Sequence, residues 1–174
     1  KGEKEMLKSI KGHLKDQRGL TLIELLAVVV ILGIIAAIAI PSIGGLIDNT
    51  RKDAHISNAQ QMISATKTAV SSDKDIIPAN GKSKYISLGY LEAQGYLETL
   101  KDPDGGIEEA NGYKRGGTAI GSTVVDSYVL VKNTGGGKLT YSVRLTGSEK
   151  SIPETAEGAL KRSIVVEGTV NDEG

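Results

Sequence analysis

The segment from Gly19 to Pro41 constrains this chain more than any other. Between Leu20 and Ile40 only Thr21 and Glu24 are polar, and both stand at the N-terminal end. As a helix this stretch is about 31 Å long at 1.5 Å per residue, close to the hydrocarbon thickness of a bilayer. Such a segment can span a membrane. The carboxylate is then the anomaly. A charge well inside a span costs about 2.5–3.5 kcal/mol on insertion scales, and less near the interface. Glu24 reads either as an interfacial acid helped by the positive end of the helix dipole, or as the partner of a positive charge that arrives when membrane chains associate.

The run Gly19-Leu20-Thr21-Leu22-Ile23-Glu24, followed by a long apolar helix carrying Gly33 and Pro41, resembles the N-terminus of the type IV pilins and pseudopilins. The resemblance is strong over residues 15–72 and weaker beyond. It implies an α+β pilin fold, with a long N-terminal helix packed against a C-terminal antiparallel sheet. The first half of that helix would span the membrane and the second half would be amphipathic. It also implies cleavage by a prepilin peptidase between Gly19 and Leu20, and N-methylation of the new amine of Leu20. Glu24 would pair with the amine of a neighbouring subunit during assembly. Leu20 stands where many members have Phe, which changes the residue methylated and not the chemistry. Within the same resemblance Gly33–Pro41 is a region that melts when the subunit enters a filament. The implied partners are further copies of the chain, the prepilin peptidase, and a membrane assembly platform with its motor ATPase.

Other readings stand beside this one. A pseudopilin or minor pilin of a type II secretion or DNA-uptake system shares the N-terminus. A signal-anchored extracellular binding module would never polymerise. An ordinary secretory signal would place its apolar core at 25–36 and its cleavage site at Ala37-Ile38-Ala39, but leaves Glu24 and the Gly19-Leu20 junction without a role.

The chain divides into a leader at 1–19, an apolar helix at 20–41, an amphipathic half at 42–73 and a globular part at 74–174. Its 21 basic and 21 acidic residues cancel, but not evenly. The leader carries six basic residues (Lys1, Lys4, Lys8, Lys11, Lys15, Arg18) against three acids, a net +3 that leaves −3 for the remainder. Basic residues beside a span stay cytoplasmic, so the precursor is expected to cross the membrane once, N-terminus inside, before joining a filament at the cell surface. An acidic exported part gives little hold on nucleic acid, with only Lys114-Arg115 and Lys161-Arg162 as basic pairs. The chain has no Cys, which excludes a disulfide framework and a zinc–thiolate site. Many Gram-negative pilins close a C-terminal loop with a disulfide, so the composition leans toward a Gram-positive source.

Beyond Pro41, apolar or small residues recur at Ile43, Leu46, Ile47, Ala54, Ile56, Ala59, Ile63, Thr66 and Val70, with charges at Asp48, Arg51, Lys52, Asp53 and Lys67. Three- and four-residue spacing of this kind predicts an amphipathic helix, ended by Ser71-Ser72-Asp73. A short helix is expected near Ser87–Gln94, stopped by Gly95, then a turn at Asp102-Pro103-Asp104-Gly105. Ser127–Lys132 and Lys138–Arg144 read as a hairpin across Asn133–Gly137. Ile164–Glu167 reads as a third strand, Tyr113–Arg115 as a fourth, and Ser148–Gly158 as an exposed polar loop.

Nothing in the chain assembles into an enzyme site. His13 lies in the leader. His55, between Ala54 and Ile56, reads as a solvated or partly buried surface residue. The Gly-rich pieces at 116–121 and 135–137 lack the Lys-Ser/Thr and helix of a phosphate cradle, and read as turns. Asp102, Asp104, Glu108 and Glu109 surround Gly105-Gly106. They read as a solvated acidic turn, with calcium at Asp102 and Asp104 the lesser alternative, because the spacing does not match an EF-hand. No cofactor is expected.

Overall fold

The computed structural model describes the backbone of residues 2–118, 120–121 and 126–169, and side chains from Thr21 onward. The chain falls into two compact units, Lys1–Ile47 and Asp48–Gly174. Helix α1 (Gly2–Ser72) belongs to both and is helical through Pro41.

In the first unit the described part of α1 is apolar and uncovered. From Thr21 to Ile47 every side chain is exposed except Ala36 and Ala39, which are half-buried. Leu22, Ile23, Ile38 and Ile40 are each 68–73% exposed. The helix is long and apolar enough to cross a membrane.

The second unit is a helix on an antiparallel sheet. The sheet comprises β1 (Ser83–Ser87), β2 (Ile120–Gly121), β3 (Tyr128–Asn133), β4 (Leu139–Thr146), β5 (Lys150–Ala156) and β6 (Val166–Glu167), in spatial order β2-β1-β3-β4-β5-β6. All neighbours are antiparallel. A short helix, α2 (Leu88–Ala93), follows β1 directly. The Ser87 hydroxyl accepts the Tyr90 N–H as its N-cap, and Gly95 beyond its end takes φ +74°, a conformation that costs other residues most.

The buried stripe of α1 in this unit is His55, Ala59, Met62, Ile63, Ala65, Thr66, Ala69 and Val70, the three- and four-residue recurrence of one helix face. It meets Ile86, Val129, Val143, Leu145 and Ile152 from the sheet in one hydrophobic core. Ile86, Val129 and Val143 lie directly opposite one another across β1, β3 and β4. The opposite face of these strands carries Tyr85 and Tyr128, edge to face at 4.9 Å. Alternation along each strand thus assigns one face to α1 and leaves the other to aromatic and polar residues.

The hairpin, α2 and the end of α1 lie where the sequence places them, within two residues. Three expectations are corrected. Ser148–Gly158 is not an exposed loop: it contains β5, whose Lys150, Ser151 and Ile152 are buried. Its Pro153 sits where the β4–β5 register shifts, between the pairs Leu145↔Ile152 and Val143↔Thr155, one of the few strand positions that tolerate a missing N–H. Tyr113–Arg115 is not a strand. Only Lys114 makes ladder-like bonds, donating its N–H to Thr146 O and accepting from Ser127 N–H, and Gly116 and Gly117 at φ +70° and +75° end the extended run. The third strand shrinks to Val166–Glu167, because Arg162–Ile164 forms a 3₁₀ turn.

Candidate functional site

Two places hold the residues singled out from the sequence. The first is the apolar end of α1. The backbones of Gly19 and Leu20 lie within α1, and their side-chain surroundings lie outside the described residues. Glu24 is exposed on an otherwise apolar helix surface. Gly33 and Pro41 are both helical, and a Cβ placed on Gly33 would meet no atom within 4 Å. No packing inside the described chain therefore demands a glycine there.

The second place is a buried polar cluster between α1 and the loops at one end of the sheet. Asp102 and Asp104 meet His55 there, not solvent. The turn forms as expected, with the Asp104 N–H donating to Asp102 Oδ1 at 2.9 Å. Its two carboxylates, however, point inward and both side chains are fully buried. His55 is also fully buried, which corrects its reading as a surface residue. Glu108 and Glu109 are exposed, as a solvated turn requires.

Each ring nitrogen of His55 has a partner. Nε2 lies 2.8 Å from Asp104 Oδ2, and Nδ1 lies 2.8 Å from the Tyr113 hydroxyl. An ionised carboxylate only accepts, so Nε2 carries the hydrogen and Nδ1 accepts from Tyr113. The Tyr113 oxygen in turn accepts from Asn58 Nδ2 at 3.0 Å. This tautomer, assigned from the hydrogen-bond network, satisfies every member.

The charges balance as well. Asp104 Oδ1 receives Arg51 Nη1 at 2.9 Å and Lys150 Nζ at 3.1 Å. Asp102 Oδ2 receives both the backbone N–H and the hydroxyl of Ser148, at 2.8 and 2.9 Å. Burial pushes the Asp104 carboxyl upward, but hydrogen bonds from His55, Lys150 and Arg51 outweigh it and hold the group below its ordinary value. Burial likewise works against the charged Lys150, and the carboxylates of Asp104 and Asp48 overcome it and raise its pKa. Burial raises the Tyr113 phenol far above its usual range, so it stays a donor. Gly147 is needed at the edge of the cluster: a Cβ there would sit 2.3 Å from Lys150 O and 2.9 Å from Asp102 Oδ2.

His55, Asp102 and Asp104 bring their ligand atoms within 4.8 Å of one another, close enough for one cation. The donor set does not suit one. Asp104 is already faced by two cationic side chains, and Asp102 Oδ2 is taken by Ser148, so an added divalent ion would meet positive charge. The arrangement is a self-satisfied buried ion network that ties α1, the 101–115 loop and the start of β5 together. Sequence reasoning missed Arg51, Asn58, Tyr113 and Lys150. A signal existed in α1, where Arg51, His55 and Asn58 recur at four and three residues and lead into the buried Ala59 and Met62.

Residues 14–40 match the prokaryotic N-terminal methylation motif. Two fimbrial proteins of Pseudomonas aeruginosa are each 32% identical over 131 residues, covering 70% of this chain and 84% of theirs. No solved structure gives a significant match.

Proposed function

The chain belongs to the type IV pilins, a structural and not an enzymatic family, and on that premise we propose that it is the subunit of an extracellular filament. It enters the membrane once, N-terminus inside, through the apolar part of α1. A prepilin peptidase cuts between Gly19 and Leu20, the amine of Leu20 is methylated, and an assembly platform with its motor ATPase moves the subunit from lipid into the fibre. The observation that carries this reading is α1 itself, apolar and uncovered from Leu22 to Ile47 with a lone carboxylate at Glu24.

Lipid tails are as apolar as the helix, so moving from lipid to sister helices gains little from the hydrophobic effect, and association depends on packing and polar contacts. Glu24 supplies one. Opposite charges 4 Å apart attract by about 4 kcal/mol at an effective dielectric of 20, against about 1 kcal/mol in water. Desolvation offsets part of that, so the pair between Glu24 and a neighbour's amine acts chiefly to fix register.

The test is N-terminal sequencing and mass analysis of the mature protein, with electron microscopy of the cell surface. A product that begins at methylated Leu20 and is recovered in fibres is expected. A product that begins elsewhere, or one that stays single in the envelope while the machinery runs, overturns the reading.

A further inference from the structure

The tripeptide Ala-Asn-Gly occurs twice, as Ala79-Asn80-Gly81 and as Ala110-Asn111-Gly112. Asparagine is a thermolabile residue, and a following glycine has no side chain to shield its backbone nitrogen from the asparagine amide. With the local sequence identical, the fold decides between the two. We propose that Asn111-Gly112 is a site of spontaneous deamidation, and that Asn80-Gly81 is protected from it.

At Asn80 the attacking nitrogen is engaged, because the Gly81 N–H donates to Asn133 O at 3.0 Å. That bond must break before the nitrogen can turn on its own asparagine. Asn111 is exposed, and neither its side-chain amide nor the Gly112 N–H is hydrogen-bonded among the described residues. The backbone around it is held: Asn111 N–H donates to Glu108 O at 3.1 Å, and Asn111 O accepts from Gly106 N–H at 2.7 Å.

In the first step the Gly112 nitrogen bonds to Asn111 Cγ, and the side-chain nitrogen leaves as ammonia with the amide proton. Water then opens either C–N bond of the five-membered imide. One opening leaves an aspartate at position 111. The other leaves an isoaspartyl link, whose backbone is longer by a methylene. Neither step needs a partner protein or a filament.

The loop has no slack for that methylene. A Cβ on Gly112 would lie 2.5 Å from Gly106 O and 2.8 Å from Glu108 O, and one on Gly106 would lie 2.7 Å from Asn111 Oδ1. Gly106 O also accepts the Asp102 N–H at 3.1 Å, and Tyr113, next after Gly112, bonds His55. The isoaspartyl link thus displaces the loop that brings Asp102, Asp104 and Tyr113 to His55. The aspartate product adds a charge beside Glu108 and Glu109.

The test ages the full chain in detergent at mildly alkaline pH and body temperature. Trypsin then separates the two tripeptides into Asp75–Lys82 and Asp102–Lys114. Deamidation replaces NH2 by OH and adds about 1 Da. The same two rates measured in denaturant supply the reference. Relative to it, Asp102–Lys114 should gain mass in the folded chain at least about threefold faster than Asp75–Lys82, the rate equivalent of one hydrogen bond to the attacking nitrogen. The melting temperature should fall as the mass rises. Asn111→Gln, whose longer side chain closes a six-membered ring far more slowly, should keep both its mass and its melting temperature. Equal gain in the two folded peptides, faster gain in Asp75–Lys82, or no gain in Asp102–Lys114 overturns the proposal. Gain with no fall in melting temperature overturns the effect on the loop.

Discussion

Asp104 shows how a buried charge comes to be tolerated. Its side chain has no exposed surface, yet His55, Arg51 and Lys150 all donate to it. Asp104→Asn keeps the shape and removes the charge, taking one of its carboxylates from the buried Lys150, which keeps Asp48, and the partner from the exposed Arg51. Loss of one partner from a fully buried pair costs about 3–5 kcal/mol; with Asp48 still facing Lys150 and Arg51 open to water the loss should be smaller, and the variant should melt below the parent in thermal unfolding followed by circular dichroism. Acid should act on the same group. Because the folded state holds Asp104 below its ordinary value of 3.8, its contribution is complete above that value and is lost as the pH falls through the folded one. Melting temperatures of parent and Asp104→Asn, taken from pH 7 to pH 3, should therefore converge at the acid end. Parallel curves over the whole range would show that Asp104 is not the group responsible. The sequence displayed the carboxylates and the histidine but not their meeting, since 49 residues separate His55 from Asp104 and no local pattern joins them.

Among the elements, those held together by local rules were legible and those held by distant contacts were not. The Asn133–Gly137 turn, the short helix after Ser87 and the glycine at 95 each depend on contacts within a few residues, and each stands where expected. β5 failed the same test because its strand character is supplied from elsewhere. The buried Lys150 is received by Asp104 and Asp48, and Ile152 pairs with Leu145 across the ladder and joins the core shared with α1. Ile152→Ala removes a fully buried side chain from the shared core and should destabilise by about 2–5 kcal/mol, whereas an exposed polar loop would register almost nothing in a denaturant titration. In α1 the local rule and the observed helix disagree at Pro41, which lacks the N–H that would bond Ala37 and disfavours a helix interior by about 3 kcal/mol. Pro41→Ala should stiffen this stretch. Slower amide exchange over 37–45 and less extensible fibres are expected, and unchanged exchange would remove Pro41 from any account of melting.

At the scale of the whole molecule, two different solvents have shaped one helix. From Leu22 to Ile47 α1 exposes apolar side chains all round, while from His55 to Val70 it buries a single stripe against the sheet. The first half is suited to lipid or to other copies, and Glu24 is its one charged residue. The carboxylate could matter as a charge or merely as a hydrogen-bond acceptor, and Glu24→Gln separates the two. Gln keeps the length and one acceptor oxygen but carries no charge. If the role is charge pairing in a dry fibre core, Gln leaves a neighbour's ammonium buried without a counter-ion. The variant should then assemble as poorly as Glu24→Ala, although both are still cut after Gly19. If the role is acceptance alone, Gln should assemble nearly as well as the parent and only Ala should fail. Co-expression with the parent chain sharpens the comparison. Each Gln subunit leaves one amine unpaired, so its share of the sheared fibres should fall below its share of the membrane pool. Equal shares in fibre and membrane would rule out charge pairing at Glu24.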